Sequence, residues 1–434
     1  MANVKRWAAK LLLVCLSIIF ALLAAEIGLR LVGYSYPYFY AFEEQTGWMH
    51  RAGVSGWFRK EGEAYITINS AGMRDLERAR AKPPHVYRVA VLGDSFAEAL
   101  QVPLEQTFWH LLEDRLASCR ELGGGRVEVL NFGVSSYGTA QELMALRGRV
   151  WDYDPDMIVL TFTPGNDVRN NSRALEQDEL RPYFVIRGDQ LVADTSFRQS
   201  PVFRRKLGRL NSTLYDAINY SRVLQAVNAA RDGYLTRRKY EQMAGGAQAA
   251  GGEGGAGAVG GGVGGGGVGV GDAEPGLDEL AFRPPPDERW AEAWRVTEGI
   301  ITQMGREVRE RGVGFLVAVV SDGPQVSPDA SARQALARRL GVPDLFYPGR
   351  RLEQLGAREG FPVLDLGPPF QAYAEQQRRP LHGFDPQRSA GHWNAEGHRL
   401  ASELIAASVC EAQRRGGAGR EVAAAPRRAG RRRL

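Results

Sequence analysis

Residues 87–99, YRVAVLGDSFAEA, constrain this chain more than any other stretch. Val89, Ala90, Val91 and Leu92 form a continuously apolar run with β-branched members, closed at once by Gly93-Asp94-Ser95. Such a run reads as a strand buried on both faces, and strands of that kind belong to parallel sheets covered by helices on either side. Ser95 then stands at the carboxyl end of the strand, where an open parallel sheet binds its ligands.

The chain downstream keeps the rhythm. Phe108, Leu111, Leu112 and Leu116 make one apolar stripe in a helix predicted over 103–116. A second strand is predicted over 127–130, a helix from Thr139 to about Arg149, and a third strand over 157–162 that ends in a Pro164-Gly165-Asn166-Asp167 loop. Asp287 is placed to cap a helix carrying Trp290, Trp294, Ile301, Met304 and Val308, which Gly312 ends. Strands over 314–320 and 362–366 follow, with helices near 330–340 and 350–359 and a last helix over 395–412. Strand, loop and helix recurring in this way give an α/β fold with a five-stranded parallel sheet.

The flanks differ in kind. Lys5, Arg6 and Lys10 precede an apolar run, LLLVCLSIIFALLAA, and the helical pattern continues to Val32. Residues 7–33 are long enough for a transmembrane anchor across about 30 Å of hydrocarbon. Residues 1–6 are then cytoplasmic and the remainder is exported, periplasmic or extracellular. A cleaved signal peptide is the competing reading, but cutting after Ala24 or Ala25 leaves Leu22 or Leu23 where a small residue belongs. Residues 34–86 form a juxtamembrane entry segment with short β-like pieces, and residues 168–243 show no readable role. The 244–272 insertion, with sixteen glycines between 245 and 271, carries too little apolar area to offset its chain entropy and reads as disordered. The tail over 414–434 holds eight of the arginines against Glu421; it accounts for more than the whole net charge of +5 and leaves the body slightly acidic. A basic nucleic-acid face on the folded part is thereby excluded. Three cysteines and six histidines show no metal-ligand spacing, and no nucleotide-binding loop is present, so chemistry without metal or cofactor is expected.

Four features stand in order at predicted strand ends: Gly93-Asp94-Ser95, the loop FGVSSYG after Asn131, Gly165-Asn166-Asp167, and His392-Trp393-Asn394 with Gly397-His398. This combination resembles the SGNH (GDSL-type) hydrolase superfamily, and with the amino-terminal helix it is similar to the bacterial membrane-anchored branch. The resemblance runs from about Ile68 to Ala407 and puts the catalytic domain at 87–413. It implies a flavodoxin-like three-layer α/β/α sandwich. It also implies ester chemistry, with Ser95 as nucleophile, His392 as general base, and an oxyanion hole formed by the N–H groups of Ser95 and Ser136 and the side chain of Asn166.

Two departures are visible. Ser136 occupies the place of a glycine whose backbone N–H the family uses. The aspartate that precedes the family histidine is absent, Ser389 and Ala390 standing there instead; either Asp385 replaces it or Ser95 and His392 work as a dyad. His398 reads as structural, and Trp393 and Phe96 as either pocket wall or core. The functional expectation is an esterase acting through an acyl-serine on an acylated small molecule or envelope polysaccharide. An O-acyltransferase on such a polysaccharide and a catalytically silent binding or scaffolding protein are the alternatives. In a sheet of order 2-1-3-4-5 the first and last helices are neighbours, so Cys119 and Cys410 can meet and form a disulfide. Against this, Cys410 falls nearly opposite the apolar stripe of its helix, which favours two reduced thiols.

Overall fold

The computed structural model describes residues 2–122, 125–249, 279–384 and 390–424. Its main sheet has five parallel strands, β1 (Val86–Leu92), β2 (Arg126–Asn131), β3 (Met157–Phe162), β4 (Gly314–Val319) and β5 (Val363–Asp365). They lie in the order β5-β4-β3-β1-β2, the expected 2-1-3-4-5 arrangement, with β1 between β2 and β3. The longer helices are α1 (Ala2–Leu31), α2 (Phe108–Ala117), α3 (Thr139–Gly148), α4 (Arg209–Tyr220), α5 (Arg222–Ala249), α6 (Glu288–Glu310), α7 (Ala330–Leu340), α8 (Tyr347–Glu359), α9 (Gly367–Gln377) and α10 (Ala395–Ala424).

Successive side chains of a strand point to opposite faces, so β1 feeds two cores. Val89 and Val91 pack with Phe108 and Leu112 of α2, Phe370 of α9 and Ile405 of α10. Ala90 and Leu92 pack with Leu143 of α3, Trp294 and Ile301 of α6 and Leu352 of α8. The result is the three-layer α/β/α sandwich. Asp287 caps α6 as its position demands, accepting the Trp290 N–H at 3.0 Å, and Gly312 leaves the helix with φ +71°.

Several boundaries differ from expectation. The predicted 103–116 helix is a 3-10 turn, Leu104–Gln106, followed by α2. The Gly165-Asn166-Asp167 loop is the first turn of a short helix, Pro164–Asn170, because Pro164 at the first position has a φ already suited to a helix. Helix α10 continues to Ala424, into the expected basic tail, through residues such as Ala, Arg and Glu that favour helix. Helix α5 likewise enters the expected glycine-rich insertion as far as Ala249. The remainder of the tail and of the insertion lies outside the described residues.

The entry segment is two antiparallel hairpins, Tyr40–Glu43 with Gly47–His50 and Ser55–Phe58 with Ala64–Thr67. It is fastened to the turn after β1. Buried Arg74 donates to the carbonyls of Glu98 and Val102, and Tyr40 and His50 both reach the buried Glu98 carboxylate. The unread 168–243 stretch holds a hairpin, Tyr183–Arg187 with Gln190–Asp194, then the helix Pro201–Leu207, α4 and the start of α5.

Cys119, just past α2, and Cys410, in α10, are joined by a disulfide across a Cα–Cα distance of 6.1 Å. Cys410 is therefore half-buried against a neighbour rather than pointing to open solvent. Helix α10 packs on α2 as well as on the sheet, which widens its covered surface beyond the stripe that the sequence displays. Among the described residues one helix segment, Val4–Leu31, is long and apolar enough to cross a membrane.

Candidate active site

The site grows from the end of β1. Asp94 caps the short helix Ser95–Glu98, its Oδ1 accepting the Phe96 N–H at 3.0 Å, and this fixes Ser95 at the helix start. The turn is tight on all sides. A Cβ on Gly93 would lie 1.9 Å from Thr161 Oγ1, and one on Gly133 would lie 2.5 Å from the Ala97 Cβ, so both glycines are dictated by close approach.

Ser95 Oγ lies 2.8 Å from His392 Nε2. On the far side of the ring, His392 Nδ1 lies 2.5 Å from Glu61 Oε2, while the His392 backbone N–H donates to Glu61 Oε1 at 2.7 Å. Burial works to raise the Glu61 carboxyl, but the His392 imidazole and these hydrogen bonds outweigh it and hold the group below the usual carboxylate range. The ionised form needed to orient an imidazole is thus the favoured one.

Glu61 takes the position expected of Asp385. It comes from the turn between the two strands of the second entry hairpin, outside the stretch covered by the family resemblance. Asp385 and Ser389 lie outside the described residues. No motif marks Glu61, because a glutamate between Lys60 and Gly62 in a hairpin turn reads as a surface charge. The signal that exists is indirect: Gly391 has φ +98°, and a Cβ there would lie 2.0 Å from Glu61 Oε1.

Asn166, in the first turn of the helix Pro164–Asn170, and Ser136, in the loop after β2, follow the two strands that flank β1. Asn166 Nδ2 donates to Asp94 Oδ2 at 2.8 Å, which ties this amide to the residue before the serine. Ser136 has φ +61°, the left-handed conformation in which a glycine is at home, so the glycine-to-serine departure keeps the backbone shape. Its loop is anchored on the Ser95 turn by the Val134 N–H to Gly93 carbonyl bond of 3.1 Å and by the Ser135 hydroxyl on Glu98.

The other histidines support the loop. His382 is buried, with Nδ1 2.8 Å from the Gly391 carbonyl and Nε2 3.0 Å from Ser321 Oγ, and burial pushes it down to about 4, so it stays neutral. Ser321 also accepts the Trp393 indole N–H at 3.2 Å. His398 is buried too and accepts the Phe108 N–H through Nδ1, the structural role expected of it. Trp393 is wholly buried and Phe96 nearly so; their rings pack on each other, as core, and the Phe96 ring also packs on His392.

In sum of geometry, the serine hydroxyl has a base at hydrogen-bond distance, the base has a carboxylate on its other nitrogen, and the Asn166 amide is tied to the residue before the serine. That arrangement can carry nucleophilic acyl transfer.

No family model and no curated protein matches the chain. Solved structures similar to it include an acetyl xylan esterase, 10% identical, with 74% of this chain and 99% of that chain covered and a TM-score of 0.34. A catalytic mutant of an acetylxylan esterase from Geobacillus stearothermophilus is 10% identical over 74% of this chain and 92% of that one, with a TM-score of 0.34. A GDSL-like lipase from Bacteroides thetaiotaomicron is 10% identical over 75% of this chain and 88% of that one, with a TM-score of 0.30.

Proposed function

We propose that this protein is a membrane-anchored serine esterase of the SGNH type, working outside the cytoplasm through an acyl-serine intermediate. The observation that carries the reading is the continuous hydrogen-bonded path from Ser95 through His392 to Glu61. The apolar helix Val4–Leu31 and the Cys119–Cys410 disulfide support the location, since such bonds persist in oxidising compartments.

In the reaction, Ser95 Oγ attacks the ester carbonyl carbon as its proton passes to His392 Nε2. The Glu61 carboxylate accepts the Nδ1 hydrogen, holds the ring in the tautomer whose Nε2 is free to take a proton, and stabilises the imidazolium that forms. The tetrahedral oxyanion is met by the Ser95 and Ser136 N–H groups and by the Asn166 amide, which Asp94 keeps oriented. Each such donor commonly contributes about 2.7–4 kcal/mol to the transition state. Collapse expels the alcohol, which takes the proton from His392. Water then enters by the same route and frees the acid.

The silent-scaffold alternative rested on the missing aspartate, and Glu61 supplies the carboxylate that it lacked. The test is to treat the purified protein with a serine-directed fluorophosphonate and to follow an aryl acetate. Labelling of Ser95 alone, with both labelling and turnover lost in Ser95→Ala, is the expected result; full activity in Ser95→Ala sinks the assignment. Product analysis with added acceptor oligosaccharide separates transfer from hydrolysis.

A further inference from the structure

Helix α5 carries its polar and apolar side chains in the reverse of the order that water imposes, and α4, which buries Ile218, leaves two leucines on its outer side. On α5 the inward residues are Gln225 and Asn228, 0% and 6% exposed. Gln225 accepts the Tyr36 N–H at 2.7 Å and donates to the Asn219 carbonyl at 2.9 Å. On α4, Asn219 grips both backbone groups of Tyr38, at 2.7 and 3.0 Å. The outward residues are Leu210 and Leu214 on α4, 88% and 54% exposed, and Leu224, Val227, Tyr234 and Leu235 on α5, 39% to 61% exposed. Their spacings of three, four and seven residues align them along each helix. Apolar side chains left in water are unfavourable by about 25 cal/mol per Å², so outer faces this apolar imply a covering that is not water.

The position of the pair says which covering. The Glu26 carboxylate, on the last turns of α1, accepts the N–H groups of Arg222 and Val223 at 3.0 Å each and the Ser221 hydroxyl at 2.9 Å, and Arg30 donates to the Tyr220 carbonyl at 2.7 Å. The end of the apolar helix is therefore fixed to the joint between α4 and α5. Charge agrees. Arg209 on α4 and Arg231 and Arg238 on α5 are exposed, with Arg204 and Arg205 exposed on the helix just before them, whereas the exposed Asp216 is paired with Arg51. Apolar side chains flanked by arginines are the pattern of a helix lying in a membrane interface among anionic headgroups.

We infer that the outer face of α4 and α5, formed by Leu210, Leu214, Leu224, Val227, Tyr234 and Leu235, lies on the bilayer surface from which α1 emerges. The occupant is lipid carrying phosphate headgroups. The inference rests on the anchor reading and deepens it: a single spanning helix lets a domain swing, whereas a second contact beside it fixes which side of the domain faces the membrane.

The test uses the full chain in liposomes of phosphatidylcholine and phosphatidylglycerol, with Cys15→Ser removing the exposed thiol. Single bimane labels are placed at Leu214→Cys, at Val227→Cys and, as a water-facing reference, at Glu353→Cys, with Ser95 fluorophosphonate labelling as the folding control. Nitroxide on the lipid headgroup region is expected to quench the first two labels about threefold more than the third, with aqueous iodide showing the reverse order. Iodide quenching of Leu214→Cys and Val227→Cys equal to the reference overturns the inference. Quenching by neither reagent also overturns it, in favour of a protein partner. Extraction by alkaline carbonate reports on the anchor separately: retention with water-exposed labels defeats the surface alone, and release defeats the anchor itself.

Discussion

Glu61 holds His392 at two points, the ring through Nδ1 and the backbone through its N–H, with both carboxylate oxygens engaged. The ring is thereby fixed in rotation and in tautomer together. Glu61→Gln keeps the size and removes the charge, so turnover is expected to fall on the order of 10³–10⁴-fold, as mis-oriented imidazoles do in serine triads, with the melting temperature little changed. Asp385→Asn is expected to leave the rate within about twofold, since Nδ1 is already engaged. A large loss in Asp385→Asn with none in Glu61→Gln would return the role to Asp385.

Gly391 makes the double contact possible, through its φ of +98° and the room it leaves beside Glu61. Gly391→Ala is therefore expected to displace the carboxylate and to lower kcat about tenfold or more with KM nearly unchanged, because the loss is one of orientation. Steady-state kinetics beside a thermal melt decides it. A variant with normal kcat would show that the loop adapts without cost to the site.

Beneath the site, Glu142 and Asp167 are buried acids, and Glu142 has no hydrogen-bond partner for either oxygen. Burial, and next the neighbouring acids (Asp167 and Asp94 for Glu142, Asp94 for Asp167), raises both carboxyls well above their usual values. The folded state then holds protons that the unfolded chain releases. Stability is full below the ordinary carboxylate range and falls as pH rises towards the folded values. The melting temperature is expected to drop as the pH rises above the ordinary carboxylate range, and Glu142→Gln, a neutral mimic, to flatten that drop and raise the value at its upper end. A steeper drop in the variant would mean that Glu142 is ionised in the fold.

The Cys119–Cys410 bond closes a loop of 291 residues in sequence separation. Alkylation of the unreduced, unfolded protein is expected to modify Cys15 alone, and Cys119→Ser with Cys410→Ser to lower stability by about 2–4 kcal/mol. Three alkylated thiols without reductant would refute the pairing.

The sheet could be read from the chain because each strand announces itself locally. Val89–Leu92 is apolar on both faces, and turn residues close it, so its identity needs no knowledge of its neighbours. Ser95, Asn166 and His392 were legible for a related reason, each sitting beside a strand end or helix start with a recognisable short pattern. Glu61 was not. Its meaning arises from a partner 331 residues away, and its own surroundings are those of any hairpin turn. Cys410 was misread because a helical wheel displays one helix's stripe and knows nothing of the second helix that α2 lays against it. The 168–243 stretch stayed opaque since α5 turns Gln225 and Asn228 inward and both α4 and α5 leave leucines outside, against the polarity on which such reading depends.

The wide spacing of the three residues also has a consequence in time. A chain made amino end first carries Glu61 and Ser95 long before His392 exists, 297 residues after the serine. Through most of synthesis the hydroxyl is an ordinary alcohol with no base beside it. On the proposed mechanism, reactivity switches on only when the loop carrying His392 has been delivered and docked, so the growing chain is without esterase chemistry until its carboxyl-terminal part is in place.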